Sequence, residues 1–524
     1  MCLVSDMAHK VNVFIQIGKR DVLFFATLAN RKPKSNAIMS STAIAITIAL
    51  YFAALFIISH LTSRNATNSS FFIGNRESPW YLVAFAMIGT SISGVTFISV
   101  PGWVASSQFT YLQMVLGFLL GYVAVANVLL PLYYRLNLTS IYTYLEGRFG
   151  RVSYKTGAIF FLLSRAIGTS FRLFIVASVL QLTVFDAWGV PFWITVTGAV
   201  TLIWLYTRKG GVKTVLWTDT FQTITMLSAV LLCVYFIAQR MGLSLGEAAK
   251  AVANSEFSRI WVFDDFGSRH HFLKQFFSGA FITIVMTGLD QDMMQKNLSC
   301  RCLSDAQKNM YWYGFAFLPV NLLFLSLGVL LYLFAQQQGI ALPTHGDDLF
   351  PLIATGGFLP PIVGILFVLG LASAAYSSAD SALTALTTSA TIDLLNTKHL
   401  DEQGLSRVRQ RTHIVVSAVV VGIILIFRLL NDRSVIDAIY TVAGYTYGPL
   451  LGLYAFGLFT RRGVRDRLVP AIAVLSPIIC FGISRLTNAL WGYTMGYELL
   501  MLNGALTFVG LWISGLGITY AKTK

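Results

Sequence analysis

Apolar residues run along this chain in windows of about 20, the length that crosses about 30 Å of hydrocarbon. The windows recur through nearly the whole sequence. Thirteen spans are predicted, over 41–61, 80–106, 111–134, 155–182, 190–206, 214–239, 272–294, 310–336, 361–395, 412–430, 435–460, 468–486 and 495–521. The longest connection between spans is 240–271, and no soluble domain is visible among the connections.

Composition agrees with this pattern. Of 524 residues, 56% are hydrophobic and 12% charged, and the mean hydropathy is +0.68, outside the range of ordinary soluble domains. The chain reads as an all-α integral membrane protein. Its net charge of +15 is scattered among short loops, with no single basic stripe carrying aromatic partners, so nucleic acid is not the expected partner. Topology accounts for the charge better. With the first span entering from outside, alternate connections place about 22 Lys and Arg on the inner side against about 8 outside. TRKGGVK at 207–213, RVRQR at 407–411 and RRGVRDR at 461–467 are the clearest inner loops.

The leader at 1–38 conflicts with that orientation, because Lys10, Lys19, Arg20, Arg31, Lys32 and Lys34 would favour the inner side. Met39 stands directly before the first span, so the leader reads either as a mis-assigned start or as a tolerated basic extension. The five cysteines, Cys2, Cys233, Cys300, Cys302 and Cys480, show neither disulfide nor zinc spacing.

Candidate chemistry lies in polar residues inside the spans, where a charge costs about 2.5 to 3.5 kcal/mol at a helix centre unless it is paired or faces a cavity. Five places stand out. In AFAMIGTSISGVTFISVPGWV, Gly89, Gly94 and Pro101 alternate with Thr90, Ser91 and Ser93. They predict either a mid-membrane break that frees carbonyls for a cation or a kinked packing helix. GGVKTVLWTDTFQT puts Asp219 and Gln222 about one turn apart. MTGLDQDMMQKNL interrupts the seventh span at Thr287, Gly288, Asp290 and Gln291, five spans after the first break. Corresponding breaks in two halves of a chain point to an inverted-repeat transporter, and a repeat of five spans is necessarily inverted in its second copy. Arg165 and Arg172, seven residues apart, share a helix face. They suit either an anionic solute or internal aspartates such as Asp290 and Asp380. Last, YSSADSALTALTTSATIDLL carries Ser377, Ser378, Ser381 and Thr384 as a hydroxyl stripe beside Asp380, either as hard oxygens for sodium or as hydroxyls bonded to their own backbone.

FFIGNRESPWYLVAFAMIGTSISG, SIYTYLEGRFG, GGVKTVLWTDTFQT, GLDQDMMQKNL, SSADSALTALTTSATIDLL and GYTYGPLLGLYAFGLF, in that order, resemble the sodium/solute symporter family from Met39 onward. The resemblance implies a LeuT-type fold of five plus five helices, spans two to six and seven to eleven, with one helix before and two after. It divides the chain into a first helix and inner loop (39–79), a first repeat (80–239), an outer loop (240–271), a second repeat (272–460) and two terminal helices (461–524). It implies a sodium site made by carbonyls of Gly89, Ile92 and Ala374 and side chains of Ser377 and Ser378. Asp219, Asp380 and Ser381 stand where some members hold a second sodium. Asp380 departs from the hydroxyl found there, and could strengthen that ion, carry a proton, or satisfy Arg165 or Arg172.

For the solute, the candidates are Ser91, Thr283, Met286, Thr287, Arg165, Arg172 and Tyr440. Met286 and Thr287 replace the aromatic gate of the sugar carriers, Ala316 stands near the place of their lysine and Tyr440 replaces their glutamine, so a glucose-type pocket is not expected. The arginines tilt the expectation toward an anionic organic solute.

The expected function is sodium-coupled symport by alternating access, not enzymatic catalysis, since no Ser-His-Asp or His-rich set gathers at one depth. Proton coupling, a transporter-like sensor and an uncoupled channel are the alternatives. Expected partners are sodium, the solute and the lipid bilayer of the cell membrane, with no obligate protein partner. The C-terminus is expected in the cytoplasm and, for a start near Met39, the N-terminus outside.

Overall fold

The computed structural model describes residues 41–516 apart from 65, 396, 398, 431–434 and 494, with the side chains at 41, 182, 183, 430 and 435–441 also outside the description. The leader and Met39 lie outside the described residues.

The main helices are, in chain order, α1 Ser41–Thr62, α2 Asn68–Ile73, α3 Trp80–Ser91, α4 Gly94–Gly102, α5 Tyr111–Arg135, α6 Arg151–Leu180, α7 Phe192–Thr207, α8 Val212–Arg240 and α9 Leu245–Ala253. They continue with α10 Phe272–Gly288, α11 Gln291–Asn297, α12 Leu303–Gln337, α13 Leu349–Thr355, α14 Pro361–Leu394, α15 Glu402–Leu430, α16 Val435–Phe459, α17 Val469–Trp491 and α18 Leu499–Ser514. Every predicted span overlaps one of these helices or, in the second and seventh, a bent pair. Among the described residues eight helices are long and apolar enough to cross a membrane, or ten when each bent pair counts as one span. The chain is a multi-pass all-α membrane protein.

Two helices start well before the hydropathy boundary, by about two turns or more: α12 at Leu303 and α15 at Glu402. Their extra turns are polar, with Asp305 and Glu402 in the first turn where the helix dipole favours an acid, so they add helix without adding apolar length. Hydropathy also passes over α9 in the outer loop. Its start is written in a capping box, Ser244 to Glu247, because the serine oxygen takes the Glu247 amide while the glutamate returns to the Ser244 amide.

Burial ranks the spans. In α14, 78% of the apolar window is enclosed by protein, against 22% in α15 and in the span that ends at Trp491. α14 is therefore the central post, and the latter two present most of their surface outward. α8 packs along α14 and α3, α6 along α14 and α16, and α5 along α10. The last pair approaches closely because glycines face backbone: a Cβ at Gly117 would lie 2.0 Å from the Phe276 carbonyl oxygen, and one at Gly279 would lie 2.2 Å from that of Met114. Small residues at such crossings give membrane helices their van der Waals contact.

Candidate functional site

The two breaks predicted from glycine and polar residues are both present. α3 and α4 meet at 61°, and α10 and α11 at 69°. In the first, the Ser93 amide turns back to the Ser91 carbonyl (3.1 Å) and the Thr96 amide takes the Ser93 hydroxyl (3.4 Å). The Gly89 and Ile92 carbonyls thus lose the amides that a continuous helix would have given them. In the second, tyrosines from the first half take the freed carbonyls: Tyr133 bonds Gly288 (2.8 Å) and Tyr142 bonds Leu289 (2.9 Å).

The hydroxyl stripe of α14 is distributed over three neighbours. Ser377 donates to Asp219 Oδ1 on α8 at 2.8 Å, Ser378 donates to the Thr90 carbonyl on α3 at 2.8 Å, and Ser381 donates to Asp292 on α11. Thr384, Thr387 and Thr388 instead bond carbonyls of their own helix. Gly89 lies where α3, α8 and α14 converge, for a Cβ there would stand 2.0 Å from Thr223 Oγ1 and 3.2 Å from Ser377 Oγ. The five residues assigned to sodium thus occupy two facing segments, Gly89 and Ile92 at the break and Ala374, Ser377 and Ser378 one turn of α14.

The three residues of the second cation position have separate partners. Asp219 accepts from Ser377, from Thr90 (2.9 Å) and from the Lys296 ammonium (2.5 Å). Asp380 accepts from the Tyr206 hydroxyl (2.8 Å), the Ser381 amide (2.6 Å) and the Thr218 hydroxyl (3.4 Å), three uncharged donors. Ser381 turns to Asp292, which is also ion-paired with Arg165. Arg165 reaches Asp290 at 3.7 Å as well, and Tyr447 donates to the same aspartate. For Arg165 the structure thus shows pairing with internal acids, with Asp290 as one partner and no bond to Asp380.

Six of the seven solute candidates line one cavity of about 120 Å³: Ser91, Arg165, Arg172, Thr283, Met286 and Thr287. The side chain of Tyr440 lies outside the described residues. Tyr122, Tyr313, Phe118 and Phe317 complete the aromatic wall, with Ser91 and Tyr122 both bonded to the Tyr313 hydroxyl (2.5 and 2.9 Å). A second cavity of about 630 Å³ shares Tyr111, Ile282 and Met286 with the first and widens past Arg269, His270, Lys274 and Arg485. On the opposite side, Gln291 ties Ile141 and Thr139 to the second break with two bonds of 2.9 Å.

Sequence reasoning passes over Lys296, Asp292 and the Tyr122–Tyr313 pair. Lys296 follows the predicted end of the seventh span and reads there as a loop cation, yet it is 1% exposed. Its signal is position: it stands two residues past an apolar stretch already broken by Asp290 and Gln291.

A sequence model of the sodium:solute symporter family matches residues 71–466. Among curated proteins, the chain is 28% identical to sodium-coupled monocarboxylate transporter 1 of Mus musculus, over 75% of this chain and 64% of that one. It is 28% identical to the sodium-dependent multivitamin transporter of Oryctolagus cuniculus (72% and 59%) and 26% identical to the sodium/iodide cotransporter of Homo sapiens (74% and 61%). It therefore spans less than two thirds of the length of each. Among solved structures, a substrate-bound outward-open Na+-coupled sialic acid symporter superposes with a TM-score of 0.77 at 19% identity, over 91% of this chain and 99% of that one. Mhp1, a nucleobase-cation-symport-1 family transporter, in a closed conformation, superposes at 0.52 and 15%, over 86% and 94%. These two likenesses concern the fold, which is LeuT-type. With its two broken helices in that fold and the family match running through both of them, the chain belongs to the sodium:solute symporter family.

Proposed function

We propose that the protein is a secondary active transporter of the cell membrane that couples sodium entry to the uptake of a small organic anion. The observation that carries this is the adjacency of two sets of groups. The break at Ser91–Ser93 frees the Gly89 and Ile92 carbonyls beside α14, where the Ser378 hydroxyl reaches the Thr90 carbonyl, and the same break contributes Ser91 to a cavity lined by two arginines. A sodium ion takes about five or six hard oxygens, and the carbonyls of Gly89, Ile92 and Ala374 with the hydroxyls of Ser377 and Ser378 supply five. Binding there would hold α3 against α14. Such an ion drives transport only by favouring one conformation over the other, since equal affinity for both shifts nothing.

Arg172 lines this cavity and is assigned to the solute's negative charge, while Arg165 holds Asp290 and Asp292. Two of the relatives are named for anions, monocarboxylates and iodide, which agrees with an anionic cargo. The loops rich in Lys and Arg favour a cytoplasmic C-terminus. The wide cavity then faces outward.

Uptake of radiolabelled short monocarboxylates into proteoliposomes tests the reading, with choline replacing external sodium at fixed pH. Accumulation should require sodium and should be competed by carboxylates, not by neutral sugars. Sodium-independent uptake that follows a pH gradient would favour a second reading, proton coupling at Asp380, for which one observation speaks: that buried carboxylate takes its hydrogen bonds from uncharged donors.

A further inference from the structure

Lys296 brings a positive charge into the site that the five-oxygen sodium position does not call for. It stands on α11, just past the second break, and its ammonium donates to Asp219 Oδ2 at 2.5 Å and to the Thr90 hydroxyl. The other oxygen of the same carboxylate accepts from Ser377 at 2.8 Å. The Asp219 carboxylate of α8 and the Thr90 hydroxyl of α3 thus meet at a single ammonium, with the Ser377 hydroxyl of α14 on the carboxylate's other oxygen. Carboxylate and hydroxyl oxygens are also the groups a sodium ion seeks.

An ammonium and a sodium ion carry the same charge, and in a buried site both cannot share one carboxylate without strong repulsion. The lysine is also held in place. The Ser299 hydroxyl bonds its carbonyl at 2.6 Å, Tyr134 bonds the Asn297 carbonyl at 2.9 Å, and Gln295 bonds Thr388 on α14 at 2.8 Å. Arg165, another buried cation near the breaks, is taken by Asp290 and Asp292.

We infer that Lys296 is a built-in cation that fills the position beside Asp219 where a second transported ion would otherwise bind, so that coupling runs on a single sodium ion. The inference rests on the sodium symport reading above. It assigns Lys296 a part in setting the ion stoichiometry.

The test is equilibrium binding of radioactive sodium to the purified full chain in lipid nanodiscs, which needs no knowledge of the solute. The wild type should bind one sodium per chain. Lys296→Ala removes the ammonium and leaves room at Asp219, so it should bind two, and adding Asp219→Asn should return the count to one. Two sodium ions on the wild type, or one on a folded Lys296→Ala variant, would overturn the inference while leaving symport intact. No saturable sodium binding to the wild type would overturn the symport reading itself, and this inference with it. Should Lys296→Ala fail to fold, Asp219→Asn alone gives a second test. It leaves an uncompensated ammonium beside Thr90 and should weaken sodium binding at least about tenfold, and unchanged affinity would count against the proposal.

Discussion

Ser377 and Ser378 are neighbours in sequence whose hydroxyls serve different helices, one donating to Asp219 on α8 and the other to the Thr90 carbonyl on α3. Replacing both with alanine removes two of the five oxygens assigned to sodium. The sodium concentration for half-maximal binding should rise at least about tenfold, equal to about 1.4 kcal/mol; radioactive-sodium titration of the double variant checks this, and an unchanged curve would remove both residues from the site. Gly89 makes the arrangement possible by having no side chain. In Gly89→Ala the new methyl meets Thr223 Oγ1, which is held by the Phe85 carbonyl (3.0 Å) and the Asp219 carbonyl (2.6 Å) and has little room to give. The variant should lose about 1 to 3 kcal/mol to overpacking, visible as a lower melting temperature together with weaker sodium binding. The hydroxyl stripe is legible in sequence because oxygens at helical spacing are conspicuous in an apolar span. Lys296 is not, because it stands beyond Gln295, past the end of the apolar run, and a hydropathy window cannot tell a short buried helix from a loop.

The broken helices are the elements on which the fold turns, and their glycines and polar residues mark both in the sequence. What holds the second break is less visible there. Arg165 on α6 joins Asp290 and Asp292 across the break, and Ser381 on α14 reaches the same Asp292. Spacing alone places these side chains near helix faces, but which arginine meets which aspartate depends on how four segments pack. Arg165→Gln should destabilise the protein by about 3 to 5 kcal/mol, since it strands buried carboxylates. Arg165→Gln with Asp292→Asn should recover much of that loss in thermal melts, because one stranded charge is then gone. A pH effect belongs to the loop before α10. Burial, with Arg269 beside it, holds the His270 imidazole below its usual pKa of 6.5. The unfolded loop therefore binds the proton more readily, so the loop's stability is full above pH 6.5 and falls as pH drops through 6.5 toward the depressed value. Hydrogen exchange around 262–275 should quicken between pH 7.5 and 5.5, and His270→Gln should abolish that dependence.

At the scale of the whole molecule, the Lys296–Asp219 pair bears on what the carrier can accomplish in a cell. Under the one-sodium proposal, one sodium and one monoanionic solute would cross together without net charge. The membrane potential, worth about 2.3 kcal/mol per charge per 100 mV, then does no work on the loaded carrier. Steady-state accumulation of a monocarboxylate in proteoliposomes should ignore a potential imposed with potassium and valinomycin. It should instead halve when the outside-to-inside sodium ratio is halved, and a rise driven by potential would show that net charge moves. A carrier built this way would concentrate its solute no further than sodium itself is held out of balance, and would keep that ceiling in a depolarised cell.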